Sequence, residues 1–154
     1  QICKKYHNVN GLDIKITRIA QNGISKKEVK NWLIQHNIYS KEIKEEEFES
    51  YKYYPDIPGN ALAWGTIRKY LIGNLIFKPY TKRKLFYYQF MEPWKDYIPV
   101  DENFFDLNEK YEWAEKNQEE TAYIAWNGYL KAHDYIKRIP EHFMSVLLKN
   151  KYKE

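Results

Sequence analysis

The chain has 154 residues, a formal charge of +4, an apolar share of 44% and an aromatic share of 18%. That length suits one compact domain or one lobe of a larger enzyme, and the wealth of core-forming side chains excludes a disordered segment. Cys3 is the only cysteine, which excludes an intramolecular disulfide and the cysteine-based zinc motifs.

No run approaches the roughly 18 apolar residues of a membrane span, so no span is expected. Neither a signal peptide nor an ER-retention ending is visible, and Gln1 rather than Met stands first. The chain reads as a piece of a longer protein with its upstream part before Gln1. With no disulfide pair and no retention signal, the expectation tilts toward a cytoplasmic setting.

Leu12 to Ile19, LDIKITRI, alternates apolar and polar residues and predicts a half-buried strand at Leu12–Ile16. Ser25 and Glu28 form a capping-box pattern ahead of Val29, Trp32 and Leu33 at helical spacing. The charge run Lys41 to Glu49 reads as a solvated loop or helix face. Tyr51 to Ile57 is an aromatic run suited to a buried strand, and the breakers Pro58, Gly59 and Asn60 follow it. Ala63, Ile67, Tyr70 and Leu71 recur at helical spacing in a helix expected to begin near Ala61, with Gly73 as its C-terminal cap. Asn74–Lys78 is the next strand, which makes a βαβ unit with parallel strands.

Downstream, Tyr97–Val100 is a further short strand. Asp106 and Glu109 repeat the capping-box spacing before Leu107, Tyr111 and Ala114 on one helical face. Ala122, Ala125, Trp126, Tyr129 and Ile136 mark a longer helix. Phe143, Met144, Leu147 and Leu148 mark a last one after Pro140. The expectation is one α/β lobe over residues 1–154: a mainly parallel, Rossmann-like sheet with helices on both faces and a helical tail.

The stretch Asp56 to Thr66, DIPGNALAWGT, lies where a parallel strand ends and a helix opens, the place where open α/β sheets bind ligands. Gly59 permits close backbone approach there, and Gly65 with Thr66 offers a bare surface beside a hydroxyl. Arg68 and Lys69 follow within a turn and suit a phosphate. Read alone, the same residues make a turn, a helix cap and an ordinary surface. Asp56 is the one carboxylate at a strand end, and a cap or turn role explains it equally well. His7, His36, His133 and His142 lack metal-ligand spacing and read as structural or surface residues. Lys78 to Tyr88, KPYTKRKLFYY, has the look of a basic nucleic-acid patch, but its apolar residues read better as packing of a short helix. No nucleic-acid partner is expected.

From Tyr51 to about Ala132 the order of motifs resembles glycosyltransferase family 90. These are Tyr51–Lys52–Tyr53, Asp56 with Gly59–Asn60, and Phe86–Tyr87. Glu92–Pro93–Trp94 and Tyr97–Ile98–Pro99–Val100 follow. Last come Asp106–Leu107 with Trp113–Ala114, and Ile124–Ala125 with Gly128. The resemblance implies the C-terminal, donor-binding lobe of a GT-B enzyme that transfers glucose or xylose with inversion. It implies a UDP-sugar donor and no bound metal ion or other cofactor. The acceptor, a protein or glycan hydroxyl, would be met by an N-terminal lobe that also carries the catalytic base, so no catalytic residue is expected here and the chain alone should not turn over.

Two departures stand out. The protein O-glucosyltransferase branch carries an aromatic–Arg pair that contacts the donor phosphates, and this chain has Trp64–Gly65 in that slot. AWGTIRKY is closer to the form in the xylosyltransferase-like branch, which passes the phosphate role to Thr66 and Lys69 with Arg68 as neighbour. Asp96 also stands where His is usual, and no role is carried to it. The resemblance thus implies a donor pocket of Gly59, Asn60, Trp64, Gly65, Thr66, Arg68 and Lys69. The alternative is a degenerate, non-enzymatic module that binds a nucleotide or glycan, or only a partner.

Overall fold

The computed structural model describes residues 2–6, 9, 11–19, 25–58, 65–81 and 86–151, except for the side chains of Glu45, of Phe86 and of residues 142–151. The chain divides into two compact units, Gln1–Phe48 and Glu49–Glu154.

The first unit holds helices α1 (Ile2–Tyr6) and α2 (Lys26–Gln35). Cys3, Tyr6, Ile14, Leu33 and Ile38 are its buried apolar residues. Helix α2 starts after Ser25, as the capping pattern predicts, but the Ser25 side chain makes no cap bond. The helix ends on Asn37, whose φ of 54° lies in the left-handed region. From there the Asn37 N–H reaches the Ile34 carbonyl (3.0 Å) and the Ile38 N–H reaches that of Leu33 (3.0 Å). This is a Schellman closure, and Leu33 and Ile38 are both buried. Leu33 is the one buried residue of α2, and Trp32 stays exposed with its ring stacked on His36 at 3.9 Å.

The strand expected at Leu12–Ile16 is not formed. Ile16 alone pairs, in an isolated parallel bridge to Tyr39. Alternation supplies a buried face, but a strand also needs a neighbour to exchange backbone bonds along its length, and only Ile16 exchanges them here. The run Lys41 to Glu49 is solvated, as expected, and passes into a short 3-10 helix at Glu45–Ser50.

The second unit is built on β1 (Tyr53–Pro55), α3 (Thr66–Leu71), β2 (Leu75–Pro79), β3 (Ile98–Val100), α4 (Leu107–Lys116) and α5 (Gln118–Lys151). The three strands form one parallel sheet in the order β1-β2-β3. Tyr53 stands opposite Leu75 and Pro55 opposite Phe77, while Phe77 in turn stands opposite Ile98. Every residue of β2 is buried, as expected for a parallel strand covered on both faces.

Ile76 packs on one face with Tyr70, Tyr87, Met91 and Ala132, and Tyr54 joins that cluster. On the other face Tyr53 meets Phe77 and sets its ring edge-on to Tyr111 of α4. Helices therefore cover both faces, and the α/β reading holds. Gly73, at φ +86°, closes α3 by the same device that closes α2: Gly73 N–H to Tyr70 O (3.0 Å) and Asn74 N–H to Lys69 O (3.1 Å).

Two other local expectations change. Asp106 precedes α4 but makes no side-chain cap bond. Its Oδ1 accepts the Asp101 N–H instead (2.7 Å), so it ties the preceding turn. The two helices expected on either side of Pro140 are one, α5, which runs through it. A proline removes one helical hydrogen bond and crowds the preceding turn. In a helix of 34 residues the bonds on either side are enough to carry the chain past it. The side chains of His142, Phe143, Met144, Leu147 and Leu148 lie outside the described ones.

Helix α5 is clamped to the turn that leads into β3. Lys131 Nζ donates to Asp96 Oδ2 (2.6 Å), Glu92 Oε1 (2.8 Å) and the Phe90 carbonyl (2.8 Å). Asp96, only 1% exposed, also takes the Glu92 N–H at 2.7 Å. Aspartate at this position thus serves as the anchor for a lysine. Gly128 lets the helix come close: a Cβ there would lie 2.6 Å from the Asp96 carbonyl oxygen and 2.7 Å from the Tyr70 ring. Gly128→Ala is expected to lower the unfolding free energy by roughly 1–3 kcal/mol, read in urea titrations. Gly65→Ala is the control, because a Cβ at Gly65 meets nothing within 4 Å.

Candidate functional site

The C-terminal ends of β1 and β2 carry a buried polar cluster. In the parallel register Asp56 follows Pro55 and donates its N–H to the Phe77 carbonyl (2.8 Å), which sets its side chain beside that of Lys78. Asp56 is 2% exposed and Lys78 6%. Lys78 Nζ lies 3.5 Å from Asp56 Oδ2 and 3.3 Å from the centre of the Tyr88 ring. The Tyr88 hydroxyl donates to the same Oδ2 (3.1 Å), and Thr66 Oγ1 donates to Oδ1 (2.5 Å). A carboxylate shut away from water is very costly unless it is paired and hydrogen-bonded. Here it is met by an ammonium, a phenol and a hydroxyl.

Tyrosines crowd this carboxylate. Burial first, and the Asp56 charge second, raises the pKa of Tyr54, Tyr70, Tyr87 and Tyr88 and so holds their protons, with Tyr87 pushed up to about 12. Lys69, at the sheet-facing side of α3, is buried with its Nζ 5.5 Å from the centre of the Tyr54 ring.

The sequence-predicted site residues divide as follows. Gly59, Asn60 and Trp64, with the helix start expected near Ala61, lie outside the described residues. Gly65 is exposed and caps α3 at φ −80°. Thr66 is fully buried and turned to Asp56. Arg68 is exposed, and Lys69 is buried. Lys78 and Tyr88 escaped the sequence reading as site residues. The signal for Lys78 was a lone charge at the end of the apolar run LIF, in a strand that parallel pairing buries on both faces.

Elsewhere, His36 Nδ1 donates to the Trp32 carbonyl (2.8 Å) and so belongs to the end of α2. Among the described residues no three His, Cys, Asp or Glu side chains converge as a metal site, and no helix is long and apolar enough to cross a membrane. A groove at the α4–α5 junction is lined by Asn117, Gln118, Tyr123 and Trp126 among others. Gln118 hydrogen-bonds Tyr53 and Lys52, which places the groove by the opposite end of β1 from Asp56.

Because the fold holds protons on buried tyrosines that the unfolded chain releases near 10, stability is expected to be complete below that pH. It should fall as pH rises from 10 toward 12. Chemical denaturation across that range measures the slope, and Tyr87→Phe should make it shallower.

Comparison with known proteins gives a consistent answer. The family model for Glycosyl transferase family 90 matches residues 5–151. Protein O-glucosyltransferase 3 of Homo sapiens is 34% identical over 105 residues, which is 67% of this chain and 21% of that protein. The Mus musculus protein of the same name is 33% identical over the same length. Protein O-glucosyltransferase 2 of Danio rerio is 32% identical over 84 residues, 53% of this chain and 16% of its own. The matched segment thus spans about a fifth of these relatives' length.

Proposed function

This chain belongs to glycosyl transferase family 90, and we propose on that premise that it is the donor-binding part of an inverting glycosyltransferase of GT-B architecture. The reaction is transfer of glucose or xylose from a UDP-sugar to a protein or glycan hydroxyl. The relatives' names favour glucose and a protein acceptor. The observation that carries the reading is one of place. The segment running from Asp56 to Lys69 leaves the C-terminal end of a strand in a parallel sheet, where such sheets receive ligands.

In this reading the diphosphate meets the segment between β1 and α3, through Gly59, Asn60, Trp64 and Gly65. Arg68 and Lys69 supply charge without a metal ion, and Thr66 holds the start of α3. The general base and the acceptor contacts belong to the rest of the enzyme, so residues 1–154 alone bind donor without turning it over. A Cβ at Gly65 meets nothing within 4 Å, so the chain tolerates a side chain's first carbon where the glucosyltransferase branch carries an arginine.

Calorimetric titration with UDP tests the proposal. Arg68→Ala, and Lys69→Met with its buried stem kept, should each weaken binding by about ten-fold, the loss of one charge-assisted hydrogen bond. Gly65→Arg should strengthen it. A wild-type chain that binds no UDP, or one whose affinity ignores all three changes, overturns the reading.

A further inference from the structure

We propose that Asp56 is the positioning residue of this site, its carboxylate stapling the start of α3 and the 3-10 helix Phe86–Phe90 to the C-terminal ends of β1 and β2. What the stapled elements hold rests on the donor reading; the staple itself does not.

The three side chains on Asp56 come from three different elements. Thr66 is the first residue of α3, on the far side of the β1–α3 turn. Lys78 stands in β2, where the next turn begins. Tyr88 belongs to the 3-10 helix Phe86–Phe90, on the far side of that second turn. Both carboxylate oxygens are taken, Oδ1 by Thr66 and Oδ2 by Lys78 and Tyr88. The Asp56 backbone is itself bonded to β2. One acceptor therefore fixes the start of α3 and the 3-10 helix against the strand ends.

The arrangement also assigns Thr66. Its hydroxyl hydrogen points to Asp56 and its side chain is fully buried. It thus acts on a ligand by placing the start of α3. Lys78 supplies the charge that lets Asp56 stay buried, and the Tyr88 ring over its ammonium holds the third element in register. A pair that merely filled space would leave ligand affinity indifferent to its hydrogen bonds.

Amide hydrogen exchange and UDP calorimetry test this on the same variants. Asp56→Asn keeps the shape and an acceptor for Thr66 but removes the charge that holds Lys78. It should speed exchange in α3 and Phe86–Phe90 by about ten-fold, with the middle of β2 unchanged, and weaken UDP by a similar factor. Thr66→Val should speed exchange in α3 and weaken UDP likewise, while Thr66→Ser, which restores the hydroxyl, should match the wild type. The Thr66 pair decides the matter should Asp56→Asn fail to fold. Unchanged exchange in both Asp56→Asn and Thr66→Val, or wild-type UDP affinity in both as folded proteins, overturns the staple. If the wild type binds no UDP, the donor reading falls, and the exchange result alone decides the staple.

Discussion

An acid and a base that are both closed off from water, side by side at the ends of two parallel strands, constrain everything else in the larger unit. Asp56 and Lys78 can stay charged there only because each offsets the other and further donors complete the shell. The pairing depends on register: a slip of one residue between β1 and β2 would turn one of the two charges to the opposite face. The ion pair is thus a test of correct strand alignment as well as a feature of the site. The aromatic cluster of Tyr54, Ile76, Tyr70, Tyr87 and Ala132 beneath it depends on the same alignment.

The clamp on α5 follows similar logic at the other end of the sheet. Lys131 gathers Asp96, Glu92 and a backbone carbonyl, and Gly128 removes the side chain that would hold the helix off. Beside these polar anchors lies a core of Ile76, Met91, Ala132 and several tyrosines. Polar contacts fix where the elements sit, and burial of the aromatic residues supplies most of the stabilisation. This division explains how a chain with many charged residues still assembles a dry central strand.

Much of this was legible in the sequence, for identifiable reasons. Parallel pairing of β1, β2 and β3 follows from strand and helix periods joined by short turns, and Gly73 announced the end of α3 because only a left-handed residue can close it that way. The Leu12–Ile16 strand misled because alternation reports a buried face and says nothing about a pairing partner. Pro140 misled because a local penalty was read without the length of helix around it. At the site, position was legible and partnership was not. Asp56 could be placed at a strand end from the pattern alone, yet its partners Lys78 and Tyr88 lie 22 and 32 residues downstream. Only register brings them together.

The sheet order has a consequence for how the larger unit assembles. Both outer strands pair with β2 and not with each other, so neither has a partner until the middle strand is in place. The chain passes through β1, then β2, then β3, and each pairing closes a loop of moderate length whose entropic cost rises only slowly with size. Assembly can therefore proceed in the order in which the residues leave a ribosome. At that stage α3 covers one face of the βαβ unit through Tyr70 and Ile76, and the other face waits for Tyr111 of α4.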